Sequence, residues 1–341
     1  MPAMVSIKEV AKLAGVSIAT VSRTINNKDR VNEETRQRVR DAIAKTGYSP
    51  NTLAQNFRRG RTNFIMVVLP TIGDPFFSGV VKGIQSIAQQ KGYSVLFSET
   101  QMSSISSDEF ANLLVSRQAD GMILLATMPP FGMEIISQKS DRLLPIVVGC
   151  EAIHPQMRHL PSVHIDNVAA ARDATAYLIA HGHERIGFIA GEKTSLLTKD
   201  REAGYRAAMK TAKLNVQDGW VVEGRLTIEG AVKATRGLLN HSTPPTAIFC
   251  ANDEMAIGAL HEIRAAGLKV PDNISVIGFD DIRYSQAVDP PLTTIRQPAE
   301  EIGEKTMYRI CRAIEDGVTL TAEPELVPHE LVVRRSVARR A

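Results

Sequence analysis

The 341-residue chain is predicted to be an α/β protein with a small three-helix N-terminal domain, a short hinge and a two-lobed body of parallel sheets. Hydrophobic residues recur at helical spacing through residues 7–46. From residue 64 onward, short apolar runs alternate with helix-length amphipathic segments, which favours parallel strands covered by helices on both faces. Positive charge is concentrated ahead of that body, and this asymmetry separates the two parts chemically as well.

The N-terminal domain has capping and turn residues at the spacing of a helix-turn-helix. Three helices are predicted, at residues 7–14, 17–26 and 32–46. Ser6 and Glu9 have the spacing of a capping box, and Gly15 can supply the left-handed turn that ends the first helix. Ser17 is placed to cap the second helix. Two short helices joined by such a turn are typical of domains that insert a helix into the major groove of DNA.

A hinge and a large body follow. Pro50 breaks the helical pattern, and residues 51–58 are predicted to form a short helix that is marginal in water by itself. Buried strands are predicted in the runs FIMVVL, SVLF, GMILL, PIVVG, SVHI, RIGFIAG, AIFCA and SVIGF, with helices at residues 75–92, 167–181 and 253–266 between them. Eight or more strand–helix units fit better into two lobes, each with its own sheet, than into a single sheet.

The predicted boundaries follow from these runs. We expect a DNA-binding domain at residues 1–49, a hinge helix and linker at 50–62, and an effector-binding and dimerisation domain at 63–341. Within the last domain, the first lobe is expected at residues 63–162 and 292–324, and the second at residues 163–291 and 325–341.

The charge distribution points to a polyanionic partner. Residues 1–62 contain twelve Lys and Arg against five Asp and Glu, a net +7, whereas the remainder carries −4. Such a local excess is the electrostatic footprint of nucleic-acid binding, although a solvated face of a small helical domain gives the same count. A protein-docking module is the other alternative for the three helices.

Several classes of protein are disfavoured. The three cysteines are widely spaced and lack metal-ligand spacing, so neither a disulfide framework nor a zinc site is expected. No apolar run reaches the length of a membrane span, and a charge-interrupted N-terminus is unlike a signal peptide. GEKT at Gly191 and Gly303 lacks the earlier glycine of a phosphate-binding loop, and GxSxG and GxGxxG are absent. We therefore expect a cytoplasmic protein that is not an enzyme and has no cofactor.

The second helix presents the groups that would read DNA. Ile18 and Ala19 offer apolar contact suited to a thymine methyl group, and Arg23 is the residue that can make a bidentate contact to guanine. Hydroxyl and amide groups of the kind that fix register on phosphates occur at Ser6, Ser17, Thr20, Asn26 and Thr35.

An ordered set of motifs resembles the LacI/GalR family of bacterial transcription regulators. They are VAKLAGVSIATVSRTIN, VNEETRQRV, GYSPNTLAQNF, GHERIGFIAG, CANDEMAIGAL, VIGFDD and DPPLTTIRQP, and the likeness covers nearly the whole chain. DPFFS, PSVHIDN and DPPLTTI are similar to the cytidine-repressor branch. The resemblance implies a helix-turn-helix headpiece with a hinge helix, a periplasmic-binding-protein-like body of two doubly wound lobes, and a homodimer.

The resemblance also implies roles for residues on the DNA side. Ile18, Ala19 and Arg23 fall on positions that select the operator, and Tyr48 and Asn51 fall on backbone-contacting positions. Phe57 stands where the family places a leucine wedge in the minor groove, and phenylalanine also serves as a wedge. The full expected DNA-binding set is Ser6, Ser17, Ile18, Ala19, Thr20, Ser22, Arg23, Asn26, Arg30, Thr35, Tyr48, Asn51, Ala54 and Phe57.

An effector site is expected in the cleft between the lobes, because open α/β sheets bind ligands beyond the carboxyl ends of their strands. The expected residues are Asp74, Phe76, Phe77, Cys150, Glu151, Ser195, Arg201, Leu226, Asn252 and Asp280. Carboxylates, an arginine, an amide and aromatic faces suit a polyhydroxylated ligand. Leu226 stands where nucleobase-binding relatives have an aromatic platform, which favours a sugar or sugar acid over a nucleoside.

Together these features predict a ligand-responsive regulator, most simply a repressor, whose affinity for operator DNA is controlled by a sugar-like effector. A nucleoside-responsive regulator of the same family is one alternative. A solute-binding component of a transport system is another, of a different class. Two reading heads in a homodimer would meet a pseudo-palindromic operator.

Overall fold

The structure is a computed structural model that describes residues 6–26, 31–48, 61–100, 118–125, 145–150, 160–317 and 320–340. The chain separates into two compact units, Met1–Thr62 and Asn63–Ala341. The predicted hinge helix at residues 51–58 lies outside the described ranges.

The first unit contains the three predicted helices. They are α1 (Ile7–Ala14), α2 (Ile18–Asn26) and α3 (Glu33–Thr46). The Glu9 carboxylate accepts a hydrogen bond from the Ser6 backbone N–H at 2.7 Å, and Gly15 takes the left-handed conformation with φ 64°. Buried apolar side chains from all three helices form one small core: Val10, Ala11, Ala14, Val21, Val39 and Ala42.

The second unit contains two six-stranded sheets. The first sheet comprises β1 (Phe64–Leu69), β2 (Ser94–Glu99), β3 (Gly121–Leu124), β4 (Ile146–Gly149), β5 (Ser162–His164) and β11 (Glu325–Leu326) in the order β11-β5-β4-β3-β1-β2. The second comprises β6 (Ile186–Ala190), β7 (Val221–Glu223), β8 (Ala247–Cys250), β9 (Ser275–Asp280), β10 (Thr293–Arg296) and β12 (Glu330–Val332) in the order β12-β10-β9-β8-β6-β7. Only β10 and β12 pair antiparallel among the described strands.

Six described helices cover these sheets. They are α4 (Pro75–Lys91), α5 (Asn167–Ala180), α6 (Leu196–Thr211), α7 (Ile228–Leu239), α8 (Asp253–Ala265) and α9 (Ala299–Glu315). Helix α9 packs on α4 and on strands of the first sheet, whereas α5 packs on α6 and on strands of the second. The doubly wound α/β architecture expected from the alternating runs is confirmed.

The lobe boundaries differ from those expected. The predicted division between residues 162 and 163 falls inside β5, which belongs wholly to the first sheet. Strand β10 belongs to the second sheet and β11 to the first, although the prediction assigned each to the opposite lobe. The chain therefore crosses between lobes at residues 165–166, 297–298 and 327–329. Strand pairing decides membership here, and these short runs give no local sign of their partner.

Helices α4 and α9 approach until their backbones touch, which glycine makes possible. A Cβ atom on Gly83 would collide with the carbonyl oxygen of Glu300, and one on Gly303 would collide with that of Val80. Because both obstacles are backbone atoms, neither can move aside without shifting a helix. This crossing fixes α9 against the first lobe.

Four strands were not predicted: β7, β10, β11 and β12. They have two to four residues each, and three of them have half-exposed or exposed burial patterns instead of a buried apolar run. Among the described residues, no helix combines the length and apolar character needed to cross a membrane.

Candidate functional site

Helix α2 turns its operator-reading candidates outward. Ile18 is 44% exposed, and Ala19 and Arg23 are exposed as well. Val21 and Thr24 on the opposite side are buried, and the Thr24 hydroxyl is satisfied by the Thr20 carbonyl at 2.9 Å. The exposed face of α2 is therefore apolar at its N-terminal end, with Arg23 about one turn further along. Such groups suit contact with a thymine methyl group and with guanine.

The polar candidates of this unit have structural partners. The Ser17 hydroxyl accepts from the Thr20 backbone N–H at 3.1 Å and caps α2. Thr35 donates its backbone N–H to Asn32, which caps α3, and Tyr48 packs half-buried against the small core. Ser6 is exposed and Ser22 half-buried. The side chains of Asn26, Arg30, Asn51, Ala54 and Phe57 lie outside the described residues, so the roles expected for them stay predictions.

The second unit contains a cavity of about 670 Å³ at the carboxyl ends of its strands. The lining comes from residues at, or shortly after, the carboxyl ends of seven strands: β1, β2, β6, β7, β8, β9 and β10. The strand order reverses at β1 in the first sheet and at β6 in the second. Doubly wound folds bind ligands beyond the carboxyl ends of the strands at such a reversal. The cavity brings together eight of the ten expected effector residues: Asp74, Phe76, Phe77, Ser195, Arg201, Leu226, Asn252 and Asp280.

Arg201 is the most constrained polar group of the cavity. It is 2% exposed, and its guanidinium lies 3.6 Å from the centre of the Phe279 ring. Its Nε donates to Asn167 at 3.0 Å, one Nη donates to the Ala251 carbonyl, and the other lies 3.5 Å from an Asp280 oxygen. A planar cation held on several sides has one orientation, so Arg201 is pre-organised for a ligand.

Asp280 lies where β9 ends and takes an unusual backbone conformation, with φ 108°. The Gln297 amide donates to its carboxylate at 2.6 Å. Near-complete burial raises the pKa of Asp280 well above its ordinary value, and the positive charge of Arg201 opposes that rise. Strained backbone of this kind clusters at binding sites, where the surrounding structure holds it.

Asp74 and the two phenylalanines form the first-lobe side of the cavity. The Asp74 carboxylate caps α4 by accepting from the Phe76 backbone N–H at 2.9 Å, and burial raises its pKa. The Phe76 and Phe77 rings pack edge to face, with centres 5.4 Å apart. Both rings are largely buried yet line the cavity, so they combine a core role with an apolar face for a ligand.

Other expected residues are occupied by structural contacts. Asn252 caps α8 through its oxygen, at 2.9 Å from the Met255 nitrogen, and donates its amide to the Leu226 carbonyl at 3.2 Å. Ser195 caps α6. These side chains border the cavity, but what they offer a ligand is limited by the bonds they already make.

Two expected residues do not line the described cavity. Cys150 follows directly after β4, is 3% exposed and adopts φ 73°. Glu151 lies outside the described residues. The positive φ turns the chain at the carboxyl end of β4, and the contribution expected of this pair stays a prediction.

The expected effector set left out several polar residues of the cavity lining, among them Glu254 and Gln297. Glu254 follows directly after the polar pair at the start of α8, and burial together with the charge of Asp74 raises its pKa to about 7. Gln297 follows directly after the unpredicted β10, so no strand prediction placed it at a carboxyl end. Its position immediately after a short run of β-branched residues was the available signal.

Asp253 has a structural role. It is fully buried, and its carboxylate accepts from the Ser285 hydroxyl at 2.6 Å, the Thr294 hydroxyl at 2.6 Å and the Ile282 N–H at 3.0 Å. Burial raises its pKa to about 7, against the effect of these hydrogen bonds. In the part of the chain that the structure describes, no group of His, Cys, Asp and Glu side chains is arranged to hold a metal ion.

Comparisons with known proteins match both units. Residues 6–51 match the model of bacterial regulatory proteins of the lacI family, and residues 175–337 match that of a periplasmic binding protein-like domain. The chain is 40% identical over 331 residues to the HTH-type transcriptional repressor CytR of Escherichia coli strain K12, covering 97% of this chain and 96% of that relative.

Other relatives have the same organisation. Catabolite control protein A of Priestia megaterium is 32% identical, with 97% of this chain and 99% of that protein covered. A lac repressor dimer bound to operator and the anti-inducer ONPF superposes with a TM-score of 0.86 at 28% identity, covering 98% and 99% of the two chains. A complex of the transcriptional regulator CelR with cellobiose gives 0.73 at 30% identity, covering 97% and 99%. Because these likenesses extend over nearly the full length of each protein, the chain belongs to the lacI family of bacterial regulatory proteins.

Proposed function

We propose that this protein is a homodimeric transcriptional repressor whose affinity for operator DNA is set by a small hydroxylated effector in the cavity of the second unit. The observation that carries the proposal is that a buried, pre-organised Arg201–Asp280 centre lies in a cavity of ligand size at the strand ends. The same chain also carries a helix-turn-helix with an outward reading face. Operator binding requires the protein to be in the cytoplasm, and we infer no catalytic role.

The two lobes give the effector a means of acting. Asp74 belongs to the first lobe, Arg201 and Asp280 belong to the second, and all three border one cavity. Asn167 accepts from Arg201 and lies just after the first lobe crossing, at residues 165–166. Gln297 donates to Asp280 and belongs to the second crossing, at residues 297–298. An effector that binds one lobe arrangement more tightly therefore shifts the population of lobe arrangements, and through it operator affinity.

The lining favours a hydroxyl-rich ligand without a carboxylate over a sugar acid. Four carboxylates and two guanidinium groups reach the cavity among the described residues, so an anionic ligand would meet an excess of negative charge. Sugar hydroxyls can donate to Asp74 or Asp280, and the Phe76 and Phe77 rings can cover an apolar sugar face. The CelR relative binds cellobiose, which supports a sugar.

A nucleoside is the second candidate, because 40% identity to CytR covers almost the entire chain. The absence of an aromatic ring at Leu226 weakens base stacking at this position and makes the sugar the preferred ligand class.

Selection from a random duplex pool tests the proposal. Bound sequences are recovered from the purified protein at moderate ionic strength, alone and with neutral hexoses, pentoses or nucleosides. We expect a pseudo-palindromic motif whose recovery changes with one ligand class. A protein that shows no sequence preference under any of these conditions is not a repressor of this kind.

A further inference from the structure

The cavity has more hydrogen-bond acceptors than the protein satisfies. Carboxylates of Asp74, Glu192, Glu254 and Asp280 line it, whereas its guanidinium groups have partners within the protein. Arg201 is engaged by Asn167, Ala251 and Asp280, and the Arg225 Nε lies 3.1 Å from a Glu223 oxygen. What Asp74 and Glu254 lack among the described residues is a cationic partner, and a ligand can bring one.

Asp74 and Glu254 are acidic groups from different lobes that line the same cavity. Asp74 caps α4 in the first lobe, and Glu254 is the second residue of α8 in the second lobe. The charge of Asp74 is one of the causes that raise the pKa of Glu254, after burial, so the two carboxylates interact across the cleft. Neither forms an ion pair with a described Lys, Arg or His side chain.

An independent sign of a missing donor comes from Gln297. This side chain lines the same cavity and is 4% exposed. Its Nε2 is used on Asp280, while its Oε1 has no hydrogen-bond partner among the described residues. A buried amide oxygen without a donor is costly, so a native protein normally supplies one from a neighbour, a water molecule or a ligand.

We propose that the effector carries a protonated amine in addition to its hydroxyl groups, and that this amine binds between Asp74 and Glu254. The ligand class is thus an amino sugar or a similar amino polyol. This inference rests on the proposed function, because it assigns the ligand of the same cavity.

The amine does two things that a neutral group cannot do. It neutralises the repulsion between the two carboxylates, which otherwise opposes their approach. It also makes charge-assisted hydrogen bonds to both lobes at once, and such bonds are about twice as strong as neutral ones. A bound amine therefore favours the lobe arrangement in which both carboxylates reach it, so the charge of the ligand affects how the two lobes are placed.

Matched sets of hexoses test the proposal on the full chain. The glucose, galactose and mannose scaffolds are each compared as the 2-amino sugar, the neutral sugar and the uronic acid, by titration calorimetry at pH 7.5. In at least one scaffold we expect the amino sugar to bind about tenfold or more tightly than its neutral parent, with the uronic acid weakest.

Variants assign the preference to the two carboxylates. Glu254→Gln is expected to weaken amino-sugar binding by about 10- to 100-fold with little change for the neutral sugar. Asp74→Asn should act in the same direction, since asparagine keeps the helix cap while the charge is removed. Glu184→Gln is the control, because this exposed glutamate lies outside the cavity lining and is not among the charges that shift the pKa of Glu254.

Three results would overturn the inference: a neutral or acidic member that binds as tightly as its amine, an amine preference that survives Glu254→Gln, or no binding by any amino sugar. A neutral sugar that binds as tightly as its amine and shifts operator affinity would refute the amine proposal and leave the proposed function intact. Loss of operator preference in the duplex selection would instead remove the proposed function.

Discussion

Replacing Asp253 by asparagine tests the energetic cost of the buried carboxylate beneath the effector cavity. The asparagine can keep the local hydrogen bonds if its oxygen accepts from the Ile282 N–H and the Ser285 hydroxyl, as one Asp253 oxygen now does. Its amide can then donate to the Thr294 hydroxyl, which has an alternative acceptor in the Ile295 carbonyl at 3.5 Å. The substitution therefore changes the charge while leaving shape and partners nearly constant.

The expected magnitude follows from the pKa. Burial raises the pKa of Asp253 from 3.8 to about 7, so between these values the native state holds a proton that the unfolded chain has released. Stability therefore falls as the pH rises through this window, and the loss is complete above pH 7. At about 1.36 kcal/mol for each pKa unit, the full cost approaches ~4 kcal/mol. Asp253→Asn removes it, and the variant should gain on the wild type by ~2–4 kcal/mol from pH 4 to pH 8.

The single tryptophan makes the measurement specific. Trp220 is 1% exposed beside β7, in the same lobe as Asp253, and its indole donates to the Thr243 carbonyl at 3.0 Å. Urea unfolding of the full chain is followed by tryptophan fluorescence at several pH values. Glu254, Asp280 and Asp74 also have raised pKa values, so the difference between wild type and variant reports Asp253 together with its charge effect on Asp280.

The shape of that difference decides the matter. A gap that widens from pH 4 to pH 7 and then stays constant supports the reasoning. Parallel stability curves over the entire pH range would refute it, because Asp253 would then titrate equally in the folded and unfolded states.

Four further substitutions probe other parts of the molecule. Gly83→Ala should lower the free energy of unfolding, followed by circular dichroism, by about 1–3 kcal/mol, because the added Cβ meets the backbone of α9. Gly237→Ala is the control, since nothing lies within 4 Å of its Cβ, and it should be neutral or stabilise by up to about 1 kcal/mol. Equal changes in stability for the two variants would contradict the close crossing of α4 and α9. Arg23→Ala should lose about 1–3 kcal/mol of discrimination between the selected operator and its guanine-substituted variants in anisotropy titrations, and unchanged discrimination would remove Arg23 from base reading. Phe57→Ala should reduce operator affinity and DNA bending, and a variant that bends DNA normally would exclude the wedge.

Local signals located the helices of the N-terminal unit and the central strands. Ser6, Gly15 and Ser17 are caps and turns that act over three or four residues, so their spacing predicts where α1 and α2 begin and end. FIMVVL and AIFCA are apolar on every position because both faces of a parallel sheet are covered. The short strands β10 and β11 were missed because pairing with a distant neighbour, and not their own composition, makes them strands.

The candidate site divides in the same way. Family motifs pointed to Arg201 and Asp280, and both line the cavity. Cys150 was expected there on the same grounds, yet it is buried and absent from the described lining. Glu254 lies within the CANDEMAIGAL motif but was not among the expected site residues, and its place in the cavity lining together with Asp74 identifies it.

The order of residues along this chain was enough to establish its family, its three N-terminal helices and the alternation of strands and helices, because these depend on contacts within a few turns and on motifs of fixed spacing. Only the tertiary structure decided which sheet takes β10 and β11, where the chain crosses between lobes, and which charges meet across the cavity. The pairing of β11 with β5 and the meeting of Asp74 with Glu254 join segments that are more than a hundred residues apart, and the electrostatic interaction of the two carboxylates exists only once both lobes have folded and enclosed the same space.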